Sequence, residues 1–190
     1  MVRVALLDDY QGVALQYADW GSLPAGTVVE SFRDHLIDET ALAARLQPFD
    51  VVMAMRERTS FPHSLLQRLP NLKLLTTAGM RNAAIDLNAA TELGMLVCGT
   101  TGSSRATMEL TWGLILALMR RIPREDRAVR AGRWQERVGL GLEGKVLGIV
   151  GLGNIGAQVA EVARAFRMPL LAWSANLTGE RAAACGAERV

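Results

Sequence analysis

The sequence predicts an α/β protein in which two parallel sheets follow one another along the chain. Three observations support this class. Short apolar runs alternate with amphipathic segments through residues 1–99, a long helical stretch then interrupts this pattern, and the alternation returns at residue 146. Apolar strands separated by helices of about ten residues are typical of a parallel sheet that is covered on both faces. We therefore expect two α/β domains, 1–99 and 100–190.

The first block supplies four strands and three helices. The predicted strands are 2–7, 50–55, 72–78 and 95–99, and the predicted helices are 38–46, 62–69 and 82–94. Acidic residues open the first of these helices, and Gly94 ends the last one.

The second block begins with helices. Residues 100–123 are predicted to form one long helix opened by serines, and Pro123 marks a break before a second helix at 124–134. A glycine-bearing loop then leads into the restored alternation. Its predicted elements are a strand at 146–150, a glycine turn, an alanine-rich helix, a strand at 169–173, a helix at 179–186 and a strand that opens at Val190.

Composition and charge exclude several classes of function. The chain carries 21 lysines and arginines against 19 aspartates and glutamates, a balance that predicts neither a nucleic-acid partner nor an anionic membrane partner. The start of the chain reaches acidic residues by position 8 and has no apolar signal-peptide core, and the apolar helical stretch 110–119 is about half a bilayer span. The two cysteines have no metal-ligand spacing, so we expect reduced thiols, no metal and a cytoplasmic protein.

The stretch "GIVGLGNIG" at 148–156 predicts a dinucleotide site. Gly151 permits a tight exit from the strand, Gly153 lets the backbone approach a pyrophosphate, and Gly156 lets the helix pack against the strand. The helix then directs its free N–H groups at the phosphates. The predicted cofactor-binding residues here are Gly151, Leu152, Gly153, Asn154, Ile155 and Gly156.

The end of the next strand bears on the choice between NAD and NADP. An acidic residue that would hold the ribose hydroxyls of NAD is expected there, but Ser174 stands in its place. Ser174, Asn176 and Thr178 offer hydroxyl and amide donors, and the nearest arginine is Arg181. We therefore favour NADP. The alternative, that Ser174 only caps a turn and NAD still binds, stays open.

Three stretches together resemble the D-isomer-specific 2-hydroxyacid dehydrogenases. They are "LEGKVLGIVGLGNIGAQVAEVARAF", "TTAGMRNAAIDLNAATELGMLVCGTTG" and "ATMELTWGLILALMRRI". The resemblance implies a flavodoxin-like N-terminal part of the substrate domain, followed by a truncated Rossmann domain that binds NAD(P). It also implies hydride transfer between NAD(P)H and a small 2-keto or 2-hydroxy acid, of the glyoxylate or hydroxypyruvate reductase kind.

The resemblance assigns roles to individual residues. It places a substrate loop at Ala78, Gly79 and Met80, where backbone N–H groups meet the substrate carboxylate, and it places Arg56 at the rim of the same cleft. Arg56 and Arg58 as plain surface cations remain the alternative. Thr107 matches a position on the nicotinamide side of the cofactor.

The resemblance also implies a catalytic arginine, glutamate and histidine that this chain does not contain. Neither His35 nor His63 matches a catalytic position, so we expect no catalytic residue here and no activity of the 190 residues alone. A relative acting on formate or phosphite, and a non-catalytic dinucleotide-binding regulator of the corepressor type, are the alternatives. The long helix, 104–121, packs across a dimer interface in the family, which implies a homodimer.

Overall fold

The structure is a computed structural model that describes all residues from 1 to 190. The chain divides into two compact units, Met1–Gly102 (unit 1) and Ser103–Val190 (unit 2). Each unit contains a wholly parallel sheet with helices between its strands. The α/β class predicted from the alternation of apolar strands and helices is therefore confirmed.

Unit 1 contains a five-stranded sheet in the order β2-β1-β3-β4-β5. This order is that of a flavodoxin-like sheet, as the family resemblance implied. Its elements are β1 (Arg3–Leu6), β2 (Val28–Ser31), α1 (Glu39–Leu46), β3 (Val51–Ala54), α2 (His63–Leu66), β4 (Leu74–Thr77), α3 (Leu87–Glu92) and β5 (Leu96–Gly99), with short 3-10 helices at Ala14–Gln16 and Trp20–Ser22.

The core of unit 1 forms where the helices pack on the sheet. Leu46 of α1 and Leu65 of α2 are buried together with Val52 of β3 and Leu75 of β4. The side chains of Asp38 and Asp86 cap α1 and α3 by accepting the amides three residues later. This packing fixes the ends of β3, β4 and β5, where the candidate site of unit 1 lies.

The sequence prediction missed one strand of unit 1. β2 pairs only with β1, at the edge of the sheet, and none of its residues is buried. An edge strand of four residues with two apolar side chains gives little hydrophobic signal, because one of its edges and part of its faces stay in water. The observed α2 and α3 are also shorter than the predicted 62–69 and 82–94.

Unit 2 contains two long helices followed by a three-stranded parallel sheet in the order β6-β7-β8. Trp112 stacks on Phe166 with ring centroids 5.1 Å apart, so the first helix packs against the one that follows the glycine turn. The elements are α4 (Arg105–Met119), α5 (Ile122–Arg130), β6 (Leu147–Val150), α6 (Asn154–Ala165), β7 (Leu170–Trp173), α7 (Gly179–Ala184) and β8 (Glu188–Arg189).

Several predicted boundaries in unit 2 were wrong. The long helix begins at Arg105, not at residue 100. The break between the helices lies at Arg121, whose φ is +59°, so Pro123 sits inside the first turn of α5, where a missing N–H costs nothing. The last strand is Glu188–Arg189 and ends before Val190.

No helix in the chain combines the length and the apolar character that a membrane span requires.

Candidate functional site

Two groups of predicted site residues lie in different units, and each unit is described by itself. In unit 1 the strands are parallel, so the segments that follow β3, β4 and β5 leave the same edge of the sheet. These segments begin near Arg56, Ala78 and Thr100. Residues that are 22 positions apart in the chain therefore meet at this edge.

Arg56 lies directly over the substrate loop that the sequence predicts. Its Nη1 is 3.4 Å from the carbonyl oxygen of Ala78, and a side-chain carbon added at Gly79 would collide with the same Nη1. Gly79 has a φ of +101°, a conformation that favours glycine. The guanidinium is exposed and has no carboxylate within ion-pair distance, so its charge is available to a ligand.

The backbone amides of the loop differ in what they bind. The amide of Ala78 donates to the carbonyl of Ala54 at 3.2 Å, and the amide of Gly79 donates to the hydroxyl of Thr100 at 3.1 Å. The amide of Met80 has no acceptor within the chain. Of the three predicted loop residues, Met80 is thus the one whose N–H remains free for a ligand.

Asn82 ties the loop to the ends of β3 and β4. Its amide nitrogen donates to the carbonyl of Arg56 at 2.6 Å and to the hydroxyl of Thr77 at 2.9 Å, while its amide oxygen accepts the N–H of Ala84 at 2.9 Å. The side chain therefore uses both its donor and its acceptor group to join three segments. Asn82 is a site residue that was not predicted from the sequence.

Gly99, at the end of β5, sets how closely the loop approaches the sheet. A Cβ at this position would lie 2.7 Å from the carbonyl oxygen of Gly79 and 2.8 Å from the Cα of Met80. Both atoms are backbone, so any side chain at position 99 would push the loop away. A cavity of about 510 Å³ opens beside Met80, Arg81 and Asn82.

The guanidinium of Arg58, unlike that of Arg56, is engaged by other residues of unit 1. Its Nη1 donates to the carbonyl of Asp8 at 2.7 Å, and its guanidinium stacks on the ring of Tyr10 at 4.5 Å. The buried carboxylate of Asp8 accepts the hydroxyl of Thr59 at 2.7 Å and meets Nδ1 of His35 at 2.8 Å. His35 thus holds a structural carboxylate, and Arg58 is a packing residue.

Asp9, which follows Asp8 in the chain, is a buried carboxylate with a lowered pKa. Burial raises this pKa, but hydrogen bonds from the Ser31 hydroxyl and from the amides of Val13 and Ala14 outweigh burial and hold the pKa below its ordinary 3.8. The carboxylate is therefore charged at neutral pH and engaged within the chain. It offers no general base.

In unit 2, the glycine turn has the geometry of a phosphate cradle. Gly151 has a φ of +97°, and its amide donates to the carbonyl of Trp173 on the neighbouring strand at 2.7 Å. A Cβ at Gly156 would collide with the carbonyl oxygen of Gly151, so only glycine lets α6 start this close to β6. Nothing lies within 4 Å of a Cβ built at Gly153, which leaves space for a ligand.

The start of α6 faces that space with unpaired donors. The first amide of α6 that is bonded within the chain is that of Ala157, which donates to Gly153, and the amides of Asn154, Ile155 and Gly156 have no acceptor in the chain. The positive end of a 12-residue helix therefore carries three free N–H groups beside an open glycine. These residues fit the pyrophosphate of a dinucleotide.

Ser104 is a further residue at this turn that the sequence analysis did not assign. Its hydroxyl accepts the side-chain amide of Asn154 at 3.2 Å and that of Gln158 at 2.5 Å, which joins the start of α4 to the start of α6. Thr107 lies one turn further along α4 with an exposed side chain. Ser104 was predicted only as a helix opener.

The segment after β7 holds the remaining predicted residues. Ser174 is half-buried and Asn176 is exposed, and the hydroxyl oxygen of Thr178 caps α7 by accepting the amide of Arg181. The side chain of Arg181 returns to the glycine turn, where its Nε donates to the carbonyl of Leu152 at 3.2 Å. A cation thus lies beside the cradle, although it is 29 residues away in the chain.

A comparison with families of known proteins supports this arrangement. Residues 112–190 match the family model described as the NAD-binding domain of D-isomer-specific 2-hydroxyacid dehydrogenases. The D-3-phosphoglycerate dehydrogenase of Archaeoglobus fulgidus is 31% identical over 192 residues, which cover all of this chain and 35% of that protein. The glyoxylate reductase of Aeropyrum pernix is 38% identical over 134 residues, which cover 65% of this chain and 40% of that protein.

A solved structure extends the comparison to the fold. The phosphoglycerate oxidoreductase of Vibrio cholerae O395 matches with a TM-score of 0.89 and 37% sequence identity, over 100% of this chain and 61% of that chain. The chain therefore spans between 35% and 61% of the length of these three proteins.

Proposed function

We propose, since this chain belongs to the D-isomer-specific 2-hydroxyacid dehydrogenase family, that it takes part in hydride transfer between NAD(P)H and a small 2-keto acid. The observation that carries the proposal is the glycine turn of unit 2, with its open Gly153 and three unpaired amides at the start of α6.

In this proposal the dinucleotide lies across the glycine turn. The amides of Asn154, Ile155 and Gly156 donate to its pyrophosphate, and Ser104 keeps the start of α6 in place through Asn154 and Gln158. When bound, the nicotinamide supplies the hydride that reduces the keto carbon. Thr107 stays a candidate for contact with the nicotinamide side of the cofactor.

The keto acid binds to unit 1 through its carboxylate. Arg56 supplies an unpaired positive charge, and the amide of Met80 supplies a directed hydrogen bond beside it, while Ala78 and Gly79 shape the loop. A planar guanidinium paired with a backbone N–H suits a small carboxylate. Glyoxylate and hydroxypyruvate fit this description, and the phosphoglycerate dehydrogenases among the relatives add a phosphorylated keto acid to the candidates.

The preferred cofactor in this proposal is NADP(H). No carboxylate stands directly after β7, where it would repel a 2′-phosphate, and Ser174, Asn176 and Thr178 offer donors there. Arg181 adds a cation that has no ion-pair partner and that is anchored at Leu152 of the glycine turn. An arginine near the end of this strand is a recognised way to accommodate a 2′-phosphate.

The working form in this proposal is a homodimer. Leu110, Leu114 and Leu118 form one face of α4 with 64%, 63% and 77% of their surface exposed. Three large leucines at a spacing of four residues give a continuous apolar stripe, which is typical of an interaction surface.

Dinucleotide binding to Gly153→Leu tests the glycine turn. A Cβ at this position meets no atom, so the variant is expected to fold and to place its side chain where the pyrophosphate would lie. We expect the affinity for NADPH, measured by calorimetry on the protein expressed from its complete coding sequence, to fall by at least about 10-fold. Gly141→Leu is the matched control, because a Cβ there also meets no atom. Equal affinities in the two variants would refute the assignment.

A further inference from the structure

We infer that Asn82 is a positioning residue for substrate binding, which sets the guanidinium of Arg56 and the free amide of Met80 in register for one carboxylate. The inference rests on the proposed function, because it gives Asn82 a role only if these two groups receive the keto acid. In this role Asn82 does not contact the substrate; it acts through Arg56 and Met80.

The first support is the way in which Asn82 connects the two groups. Its amide nitrogen donates to the carbonyl of Arg56 at 2.6 Å, across 26 residues of chain, and to the hydroxyl of Thr77 at 2.9 Å. Arg56 follows β3, and Thr77 is the last residue of β4. One side chain therefore locks the exits of two neighbouring strands together.

The second support is the backbone conformation of Arg56. Its φ of +55° lies in the left-handed region, which residues other than glycine rarely adopt because Cβ crowds the backbone. The hydrogen bond from Asn82 to the carbonyl of Arg56 stabilises this conformation. Arg56 in this conformation holds its guanidinium against Gly79 and the carbonyl of Ala78.

The third support is the path of the loop between these groups. Residues 79–82 run from Gly79, whose amide is bonded to Thr100, to Asn82, whose oxygen accepts the amide of Ala84. Both ends of this short segment are fixed, and the Met80 amide between them is free. Without the Asn82 side chain, the bonds to the amide of Ala84 and to the carbonyl of Arg56 are lost. The Met80 amide and Arg56 are then no longer held by one residue.

The test compares steady-state kinetics of Asn82→Ala with those of the unaltered protein, both expressed from the complete coding sequence. The readouts are KM and kcat for glyoxylate and hydroxypyruvate with NADPH, together with the melting temperature. We expect KM to rise by about 10-fold and kcat to change by less than about 3-fold. The variant weakens a carboxylate contact that the substrate and the transition state share, and loss of such a contact raises KM without lowering kcat. Asn71→Ala is the control, because it removes a comparable bond of 2.9 Å, to the carbonyl of Gln47, and is expected to leave both constants unchanged.

A double variant separates positioning from general rigidity. In the Arg56→Ala background, Asn82→Ala is expected to raise KM by clearly less than it does in the unaltered protein, because one of the two groups that it positions is already absent. Multiplicative effects of the two changes would overturn the inference, and so would an unchanged KM in Asn82→Ala.

Asn82→Ser covers the case in which the alanine variant does not fold. The serine hydroxyl can still accept the amide of Ala84 but does not reach the carbonyl of Arg56, and the same rise in KM is expected. If the unaltered protein reduces no keto acid at all, it is the proposed function that fails, and this inference fails with it.

Discussion

At the scale of single residues, the proposed preference for NADP(H) rests on Ser174 and Arg181. A dinucleotide with a 2′-phosphate brings about two negative charges to the end of β7, where the chain presents a hydroxyl and an anchored cation. A carboxylate at position 174 would oppose those charges and would instead accept the ribose hydroxyls of NAD.

We predict that Ser174→Asp lowers kcat/KM for NADPH by about 10-fold relative to NADH, and that Arg181→Met shifts the preference in the same direction. The measurement is the ratio of kcat/KM for the two cofactors with one keto acid. Arg130→Met, which removes an exposed arginine of α5, is the control for loss of charge alone. An unaltered protein that already favours NADH would contradict this prediction.

Residue roles could be predicted where they depend on local backbone geometry. The three glycines of the turn belong to one strand, turn and helix, so their spacing alone indicates a phosphate cradle. Asn82 and Arg181 act on backbone atoms that are 26 and 29 residues away. Their roles depend on how strands and helices are placed in three dimensions, and the local sequence around each residue does not reveal this placement.

At the scale of elements, the sequence revealed four strands of unit 1, including β5 at one edge of the sheet, and missed β2 at the other edge, which has only two apolar residues. β3 and β4 each alternate half-buried with buried residues, whereas β2 has no buried residue. Helix ends were predicted less well than helix positions. Arg121, the residue that precedes α5, has a left-handed conformation that no local motif indicates, and the serine expected to cap α4 instead binds α6.

The exposed leucine face of α4 yields a prediction at this scale. We expect Leu114→Glu to convert a homodimer into a monomer, because dimerisation would bury the introduced carboxylate in an apolar interface. Light scattering coupled to gel filtration measures the molar mass. Leu87→Glu, at a leucine of α3 that is 56% exposed, is the matched control and is expected to leave the mass unchanged. A dimer that persists in Leu114→Glu would place the interface elsewhere.

At the scale of the whole molecule, the two units supply different parts of one proposed reaction. In the proposed function, unit 1 would hold the keto acid through Arg56 and the Met80 amide, and unit 2 would hold the dinucleotide on its glycine turn. His35 is paired with the buried carboxylate of Asp8, and His63 begins α2; neither makes a hydrogen bond to Arg56, to Met80 or to the glycine turn. We therefore expect no turnover from the 190 residues expressed by themselves.

The central claim is that the protein containing this chain reduces 2-keto acids with a nicotinamide cofactor. It is tested most directly by following NADPH and NADH oxidation by the protein expressed from its complete coding sequence, with glyoxylate, hydroxypyruvate, 3-phosphohydroxypyruvate and pyruvate as substrates. We predict oxidation well above background with at least one of these acids, and a kcat/KM that falls by at least about 10-fold in Arg56→Met. Absence of oxidation with every acid and both cofactors would contradict the account.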